Sequence, residues 1–465
     1  MNLEQINSGD TAWILASTAL VMLMTPGLAF FYGGLVHRKN ILNTLMMSYV
    51  ALGVIAIQWA VIGYSLSFGA GNAFIGDFSF LGLQNVGIEP QEGSTIPHVL
   101  FMAFQMMFAI ITPALISGAV VERMRFSAYM IFICLWSLVV YAPLCHMVWG
   151  GGWLSQAGAL DFAGGTVVHI SAGVSALVAA MVIGPRKERE HRSIEPQNIP
   201  FVLLGAALLW FGWFGFNSGS ALAADAIAGN ALVTTSLAAS AALTTWALLD
   251  KIFNKTISAA GSAIGAVVGL VTITPAAGFV TPMSAIVMGA IGAAVSFGTL
   301  RILRGSKLDD SLDVFACHGM GGIVGSILTG VFATTQVNPG GTDGLLYGNA
   351  SLMIPQLEGT FAAILLAAVG TVLCLKVTGL FVALREDDES VGLDLNAHAE
   401  KAYGYVGSLS IGQLALSKGM INKSTLMLRL EEQKKTAKKL GEILVGAGDI
   451  SDIELQGLLI EQATA

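Results

Sequence analysis

GGTVVHISAGVSALVAAMVIG at 164–184 and DVFACHGMGGIVGSILTGVF at 313–332 are two strongly apolar stretches, and each carries a histidine near its start, His169 and His318. An ionisable side chain at bilayer depth is expensive, so each is a functional-site candidate by default. Each is preceded, eight residues upstream, by an aspartate, Asp161 and Asp310. Lysine and arginine placement along the chain puts Asp161 outside the membrane and Asp310 inside. The same histidine element thus occurs twice with opposite orientation, as in transporters built from inverted repeats, and the pairing predicts a midplane path for a small solute.

Composition sets the class. With 54% hydrophobic residues, 11% charged, 55 glycines and a mean hydropathy of +0.72, the apolar residues have too little polar surface to hide behind, which excludes an ordinary soluble protein. The chain is an all-α polytopic membrane protein in contact with lipid. Its net charge of −7 says little, because the charges are segregated between loops and tail, and no nucleic-acid partner is expected. Cys134, Cys145, Cys317 and Cys374 all lie in apolar stretches without ligand spacing, so neither a disulfide framework nor a zinc site is indicated. Nor is there an HExxH, a carboxylate at ligand spacing from either histidine or a nucleophile elbow, so neither an enzyme nor a cofactor is expected.

A window of about 20 residues finds eleven spans, near 12–32, 41–68, 97–120, 126–146, 165–184, 199–217, 229–250, 257–274, 279–301, 314–335 and 355–385. The odd-numbered connections, with the span ends beside them, hold Arg38, Lys39, Arg123, Arg125, Arg186, Lys187, Arg189, Arg192, Lys251, Lys255, Arg301, Arg304 and Lys307, and the other five hold none. The positive-inside rule then places the N-terminus outside and the C-terminus in the cytoplasm of a multi-pass protein of the inner (cytoplasmic) membrane. That arrangement requires an odd number of spans. Residues 1–10 lack the basic start of a signal peptide, so the first span is expected to be retained.

Small residues crowd the spans, as in GSAIGAVVGLV (261–271) and MGAIGAAVSFG (288–298), and let helix backbones approach closely. Ten spans divide into two halves of five, with His169 in the fifth and His318 in the tenth, while the long eleventh is unpaired. Five spans per half force an inverted 5+5 repeat.

The strings DFAGGTVVHISAG (161–173), WFGWFGFNSGS (210–220), DDSLDVFACHGMGGIVG (309–325) and GLDLNAHAEKAY (392–403) together resemble the ammonium transporter (Amt/Mep/Rh) family, over residues 10 to 403. The resemblance implies an eleven-helix protomer, a homotrimer, and a narrow hydrophobic pore through each subunit that carries ammonium or ammonia. Carried over by position, Trp149 and Ser220 match the outer ammonium site, Phe108 and Phe216 the gate below it, His169 and His318 the twin-histidine pair, and Asp161 the aspartate supporting the outer vestibule. Phe104 and Trp213 are further pore-lining candidates. The family also implies a PII-type signalling protein as a partner on the cytoplasmic face.

Those residue types suit the task. An indole face and phenyl faces attract a cation by about 0.5–2 kcal/mol each, and a hydroxyl accepts an N–H. Such terms hold ammonium at a pore mouth but fall well short of carrying a bare cation through an apolar tube. Splitting the ion solves this: ammonia crosses neutral, and two imidazoles sharing one hydrogen bond pass a single proton. Potassium has no proton to give up. Each residue also has a plainer role. Trp149 in HMVWGGGW, like Trp153 beside it, fits an interfacial aromatic belt, and Phe108 and Phe216 fit helix packing. Asp161 fits an N-cap of the fifth helix as well as it fits contact with the ion. Asp309, Asp310 and Asp313 suit the start of the tenth helix, where carboxylates favour the dipole.

Beyond the last span the chain turns charged. Residues 1–385 form the membrane domain and 386–403 a cytoplasmic regulatory tail, and 404–465 is an extension past the end of the family pattern. It holds an internal repeat, SIGQLALSKGMINKSTLMLRLEEQ (410–433) and KLGEILVGAGDISDIELQGLLIEQ (439–462), which predicts a small helical module of two packed units. The repeat is similar to the N-terminal module of type II secretion and type IV pilus ATPases, some of which bind cyclic di-GMP through an arginine in each unit. Ser410 and Lys439 stand at those positions here, and serine offers neither stacking nor a bidentate fork. A protein-docking role competes with nucleotide binding for the module. Transport of ammonium is the leading reading of the whole chain, with an ammonium sensor signalling through the module as the alternative.

Overall fold

A computed structural model describes residues 3–187, 196–389, 392–403, 410–436 and 438–464. Arg189 and Arg192 of the basic connection lie outside the described residues. The chain divides into two compact units, 1–400 and 401–465.

The first unit is helical, with two isolated bridges, Pro90 with Pro97 and Met124 with Arg385, among its described residues. Ten helices are long and apolar enough to cross a membrane: α1 (Ser8–Leu35), α2 (Arg38–Phe68), α3 (His98–Val120), α4 (Phe126–Gln156), α5 (Gly165–Ile183), α6 (Ile199–Ala221), α7 (Ala226–Asn254), α9 (Pro282–Arg304), α10 (Phe315–Phe332) and α11 (Ala350–Phe381). The stretch at 257–274 becomes a shorter apolar helix, α8 (Ala259–Ile273). Its 15 residues rise about 22 Å and then turn at Pro275. Gly261 and Ala263 through Ile273 are buried, so α8 is wrapped by protein rather than lipid. Helices are the expected outcome, since a chain in hydrocarbon must satisfy its backbone polar groups internally. Their starts are fixed by short polar side chains: Asn7 accepts from Gly9 and Asp10 N–H, Asp225 from Ala228, Ser258 from Gly261 and Thr281 from Ser284.

Glycine sets how closely α5 and α10 cross. A Cβ on Gly173 would sit 2.1 Å from Gly319 N, and one on Gly322 would meet Gly165 O at 2.9 Å and Ile170 N at 3.0 Å. The Gly173–Gly319 and Gly322–Ile170 contacts each join the fourth residue after one histidine to the residue directly following the other.

At the end that carries the arginine-rich connections, a buried ionic cluster ties four loops together. Arg186 gives Asp309 three hydrogen bonds, from its backbone N, Nε and Nη2, and reaches Glu122 Oε2 with Nη1 at 2.6 Å. Glu122 Oε1 also receives His37 N, His37 Nδ1 and Asn40 Nδ2. Arg123, 0% exposed, donates to Asp309 O, Ala119 O and Ser311 Oγ. The tail that follows α11 is bound into this cluster. Lys187 N–H reaches Glu389 Oε2 at 2.9 Å, Arg125 pairs with Asp387, and Asp394, in the short helix α12 (Leu393–His398), accepts Asn43 N–H at 2.9 Å.

Within the second unit each 24-residue repeat folds as a short helix and a longer one: α13 (Ile411–Ser417) with α14 (Lys423–Lys435), and α15 (Leu440–Gly446) with α16 (Asp452–Thr464). Gly412 lies against Leu426 as Gly441 lies against Leu455, so the repeats reuse one contact. Leu414, Ala415, Ile421, Leu444, Ile450 and Leu458 form a shared core, and Arg429 bridges to Asp449 at 2.6 Å.

Candidate permeation site

His169 and His318 meet at the crossing of α5 and α10, with Nδ1 to Nδ1 3.3 Å apart. Both sit in widened π-type turns, Gly165–Ile170 and Phe315–Gly319, that open into regular helix at Ser171 and Met320. Such turns cluster at functional sites because they re-aim side chains without ending the helix. An aspartate sets each turn. Asp161 accepts four backbone N–H groups, from Gly164, Gly165, Thr166 and Val167, at 2.7–3.1 Å. Asp310 accepts the Phe315 N–H at 2.7 Å, and the Val314 N–H also bears on it.

The two rings face a narrow apolar cavity whose walls include Leu28, Phe31, Leu115, Trp213 and Phe216. Its volume of about 10 Å³ admits one water-sized molecule and no hydrated ion. His169 stacks on Trp213, 5.4 Å away at 28°, and on Phe216, 5.9 Å away at 19°, in a triad whose other two rings are themselves 5.3 Å apart. Trp213 is locked by donating Nε1 to Thr274 Oγ1 at 3.0 Å. His169 Nε2 is buried with no hydrogen-bond partner among the described residues.

A second cavity of about 270 Å³ is lined by Phe101, Gln105, Phe108, Trp149, Phe162 and Ser220, among others. Phe108 and Phe216 stand between it and the histidine lumen, their ring centroids 4.4 Å apart and both rings buried. Trp149 packs at 83° to Phe108 and is fixed by donating Nε1 to the Asp161 carbonyl at 2.8 Å. Ser220 Oγ donates to Phe216 O at 2.8 Å, which leaves its lone pairs for a donor in the cavity.

The fold therefore brings seven of the nine residues singled out from sequence to the cavity walls: Trp149, Ser220, Phe108, Phe216, His169, His318 and Trp213. Phe104 packs edge-on behind Phe108, 5.0 Å between centroids, and is absent from both linings. The Asp161 carboxylate is spent on the cap, and its link to the outer cavity runs through its carbonyl and Trp149. Of the three aspartates before α10, only Asp310 caps the helix. Asp309 pairs with Arg186, and Asp313 with Arg304 at 2.8 Å. Sequence reasoning passed over Gln105 and Glu122. Gln105 lies four residues before Phe108's neighbour Ala109 on α3, a polar exception in an apolar helix, and Glu122 lies two residues past the end of that helix.

A profile of the Ammonium Transporter Family matches residues 12–403. An ammonium transporter of Bacillus subtilis (strain 168) is 51% identical over 399 residues, covering 85% of this chain and 98% of that protein. Among solved structures, Saccharomyces cerevisiae Mep2 superposes with a TM-score of 0.77 at 35% identity, covering 82% of this chain and 87% of that one. A chain described as a sensor Amt protein gives a TM-score of 0.77 at 28% identity, covering 86% of this chain and all of the other. With the family profile spanning residues 12–403 and relatives this similar over nearly their whole length, the chain belongs to the ammonium transporter family.

Proposed function

We propose that the chain moves ammonium across the cytoplasmic membrane by splitting it. Ammonium is recruited in the cavity between Trp149 and Ser220, where the indole face supplies cation–π attraction and the hydroxyl accepts an N–H. It loses its proton there, and ammonia slips past Phe108 and Phe216 into the histidine lumen. The proton travels separately through the shared bond of His169 and His318. The observation that carries this reading is that bond, 3.3 Å long, inside a cavity that excludes a hydrated ion. On this reading α8 is the eleventh span, and the reciprocal glycine contacts of α5 and α10 are the centre of an inverted repeat. The Trp149 cavity then faces outward and the Arg186 cluster the cytoplasm, in a homotrimer. Currents from proteoliposomes on a supported membrane after ammonium jumps test it. His169→Ala and His318→Ala should each abolish selective ammonium current and admit potassium, whereas wild-type currents with potassium still excluded would defeat it.

A second reading, ammonium sensing, is favoured by the separate unit at 401–465 and by the likeness to the sensor Amt protein. The extension's similarity to the secretion and pilus ATPase module makes cyclic di-GMP a candidate ligand there, against which stands the use of Ser410 as a helix cap for Gln413. A PII-type protein remains the partner proposed for the tail side.

A further inference from the structure

A third cavity, of about 860 Å³, opens at the arginine-rich end and is lined in part by Asp250, Asp309, Asp310 and Asp313. Three of these are held by donors. Asp250 takes Asn254 and Ser258, Asp309 takes Arg186, and Asp313 takes Arg304. Asp310 differs. One oxygen caps Phe315, but Oδ1 is buried with no hydrogen-bond partner among the described residues, in a side chain only 9% exposed. Asp161, at the matching position before the other histidine, binds four N–H groups with its two oxygens. The cap alone therefore does not account for Asp310.

A bare buried carboxylate oxygen is costly unless a proton or a cation joins it. Of the charged groups around Asp310, Arg123 alone favours the carboxylate, and burial with the charge of Asp313 outweighs it. Asp309 and Asp313 share its connection, Tyr32 of α1 and Cys317 of α10 face it, and Arg123 approaches from the loop after α3. The two Nη atoms of Arg123 are given to three carbonyls and Ser311, Arg186 is paired with Glu122 and Asp309, and Arg304 with Asp313. Burial, and then the charge of Asp313, push the Asp310 carboxyl up to about 7, so it is poised to gain and lose a proton at neutral pH. The π-turn it caps carries His318 three residues after Phe315, so one short stretch of backbone joins the carboxyl that lines this cavity to the histidine of the lumen.

We infer that Asp310 is a proton-exchanging group at the arginine-rich mouth of the pore, which hands a proton to ammonia as it leaves the histidine lumen. The carboxyl O–H bond breaks, the ammonia lone pair takes the proton, and the products are ammonium and the Asp310 carboxylate. The carboxylate then regains a proton from water in the cavity. Transfer runs downhill because ammonia is a stronger base than a carboxylate, and the charged product cannot slip back through an apolar lumen. This rests on ammonia crossing as the neutral molecule.

The test uses the full chain in proteoliposomes. Asp310→Asn keeps an acceptor for the Phe315 cap but cannot exchange the proton, and Asp310→Glu keeps the carboxyl. Ammonium-evoked currents should fall severalfold in D310N and lose their dependence on pH through neutrality, with recovery in D310E. Difference infrared spectra of the wild type should show a protonated-carboxyl band that ammonium diminishes, titrates near neutral pH and is missing from D310N. Wild-type currents at every pH in D310N would overturn the assignment. If D310N does not fold, the absence of any ammonium-sensitive carboxyl band in the wild type overturns it equally. Absence of ammonium current in the wild type would instead sink the transport reading.

Discussion

Replacing Glu122 by glutamine removes one charge from the middle of the arginine-rich cluster. Burial alone would raise this carboxyl, but the His37 hydrogen bond and the Arg186 charge outweigh it and hold it at about 2, against an ordinary value of 4.5. At 1.36 kcal/mol per pH unit, that difference is worth about 3 kcal/mol. Because the folded value lies below the unfolded one, this stability is fully present above pH 4.5 and drains away as pH falls towards 2. In E122Q one carboxylate oxygen becomes an NH2 that must face either Arg186 Nη1 or the His37 and Asn40 donors, so a loss of about 3 kcal/mol is expected at neutral pH, as for other buried pairs broken from one side. The damage should spread to the tail, since Arg186 is followed by Lys187, whose N–H holds Glu389. The assay is a thermal melt of the purified protein combined with hydrogen exchange over 384–399. E122Q should melt several degrees lower, exchange faster in the tail, and lose the acid-dependent part of its stability between pH 4.5 and 2. An unchanged melt with an unchanged tail would refute the reasoning.

Trp149→Leu keeps apolar bulk but removes the cation–π attraction, so the outer site should weaken by about 1–2 kcal/mol, roughly a 5- to 30-fold rise in the ammonium concentration for half-maximal current; Ser220→Ala should cost less, and unchanged curves in both would relocate the site. Gly173→Val drives a Cβ onto Gly319 N, 2.1 Å away, and should cost at least 1–3 kcal/mol, read as a lower melting temperature with loss of current. Deleting 404–465 should leave trimers and ammonium selectivity intact while altering the response to cytosolic effectors; truncated protein that fails to form trimers would make the extension a building element. Calorimetry of the full chain against the truncated one with cyclic di-GMP separates nucleotide binding from protein docking, since only the former gives heat that the truncation removes.

The histidine pair was legible because an ionisable residue in an apolar stretch stands out against its neighbours, and two of them with aspartates at one spacing stand out further. Trp149, Phe108 and Phe216 were reached through family motifs rather than periodicity. Membrane helices hide their inner faces: Leu28 and Phe31 line the lumen, but α1 is apolar on most sides, so no contrast marks them. The arginine cluster was only partly legible, for a different reason. Charge counting gave Arg123 and Arg186 a topological role, but it could not show that Glu122 and Asp309 sit between them, because those contacts join loops far apart in sequence. The π-type turns at both histidines left no trace in residue pattern, since they depend on where Asp161 and Asp310 spend their oxygens.

The Nδ1 to Nδ1 bond between His169 and His318 has a direction. One hydrogen lies between the two rings, so one Nδ1 donates and the other accepts, and the outer nitrogens are then unequal: the donating ring presents a bare Nε2 and the accepting ring an Nε2–H. A proton entering at the bare nitrogen and leaving from the other ring reverses both. The pair then points the opposite way and refuses the next proton from the same side until its tautomers are reset. On the proposed mechanism, relaying charge through this lumen is a two-stroke cycle, a hop and a return, whose slower stroke would set the pace however quickly ammonia itself slipped through.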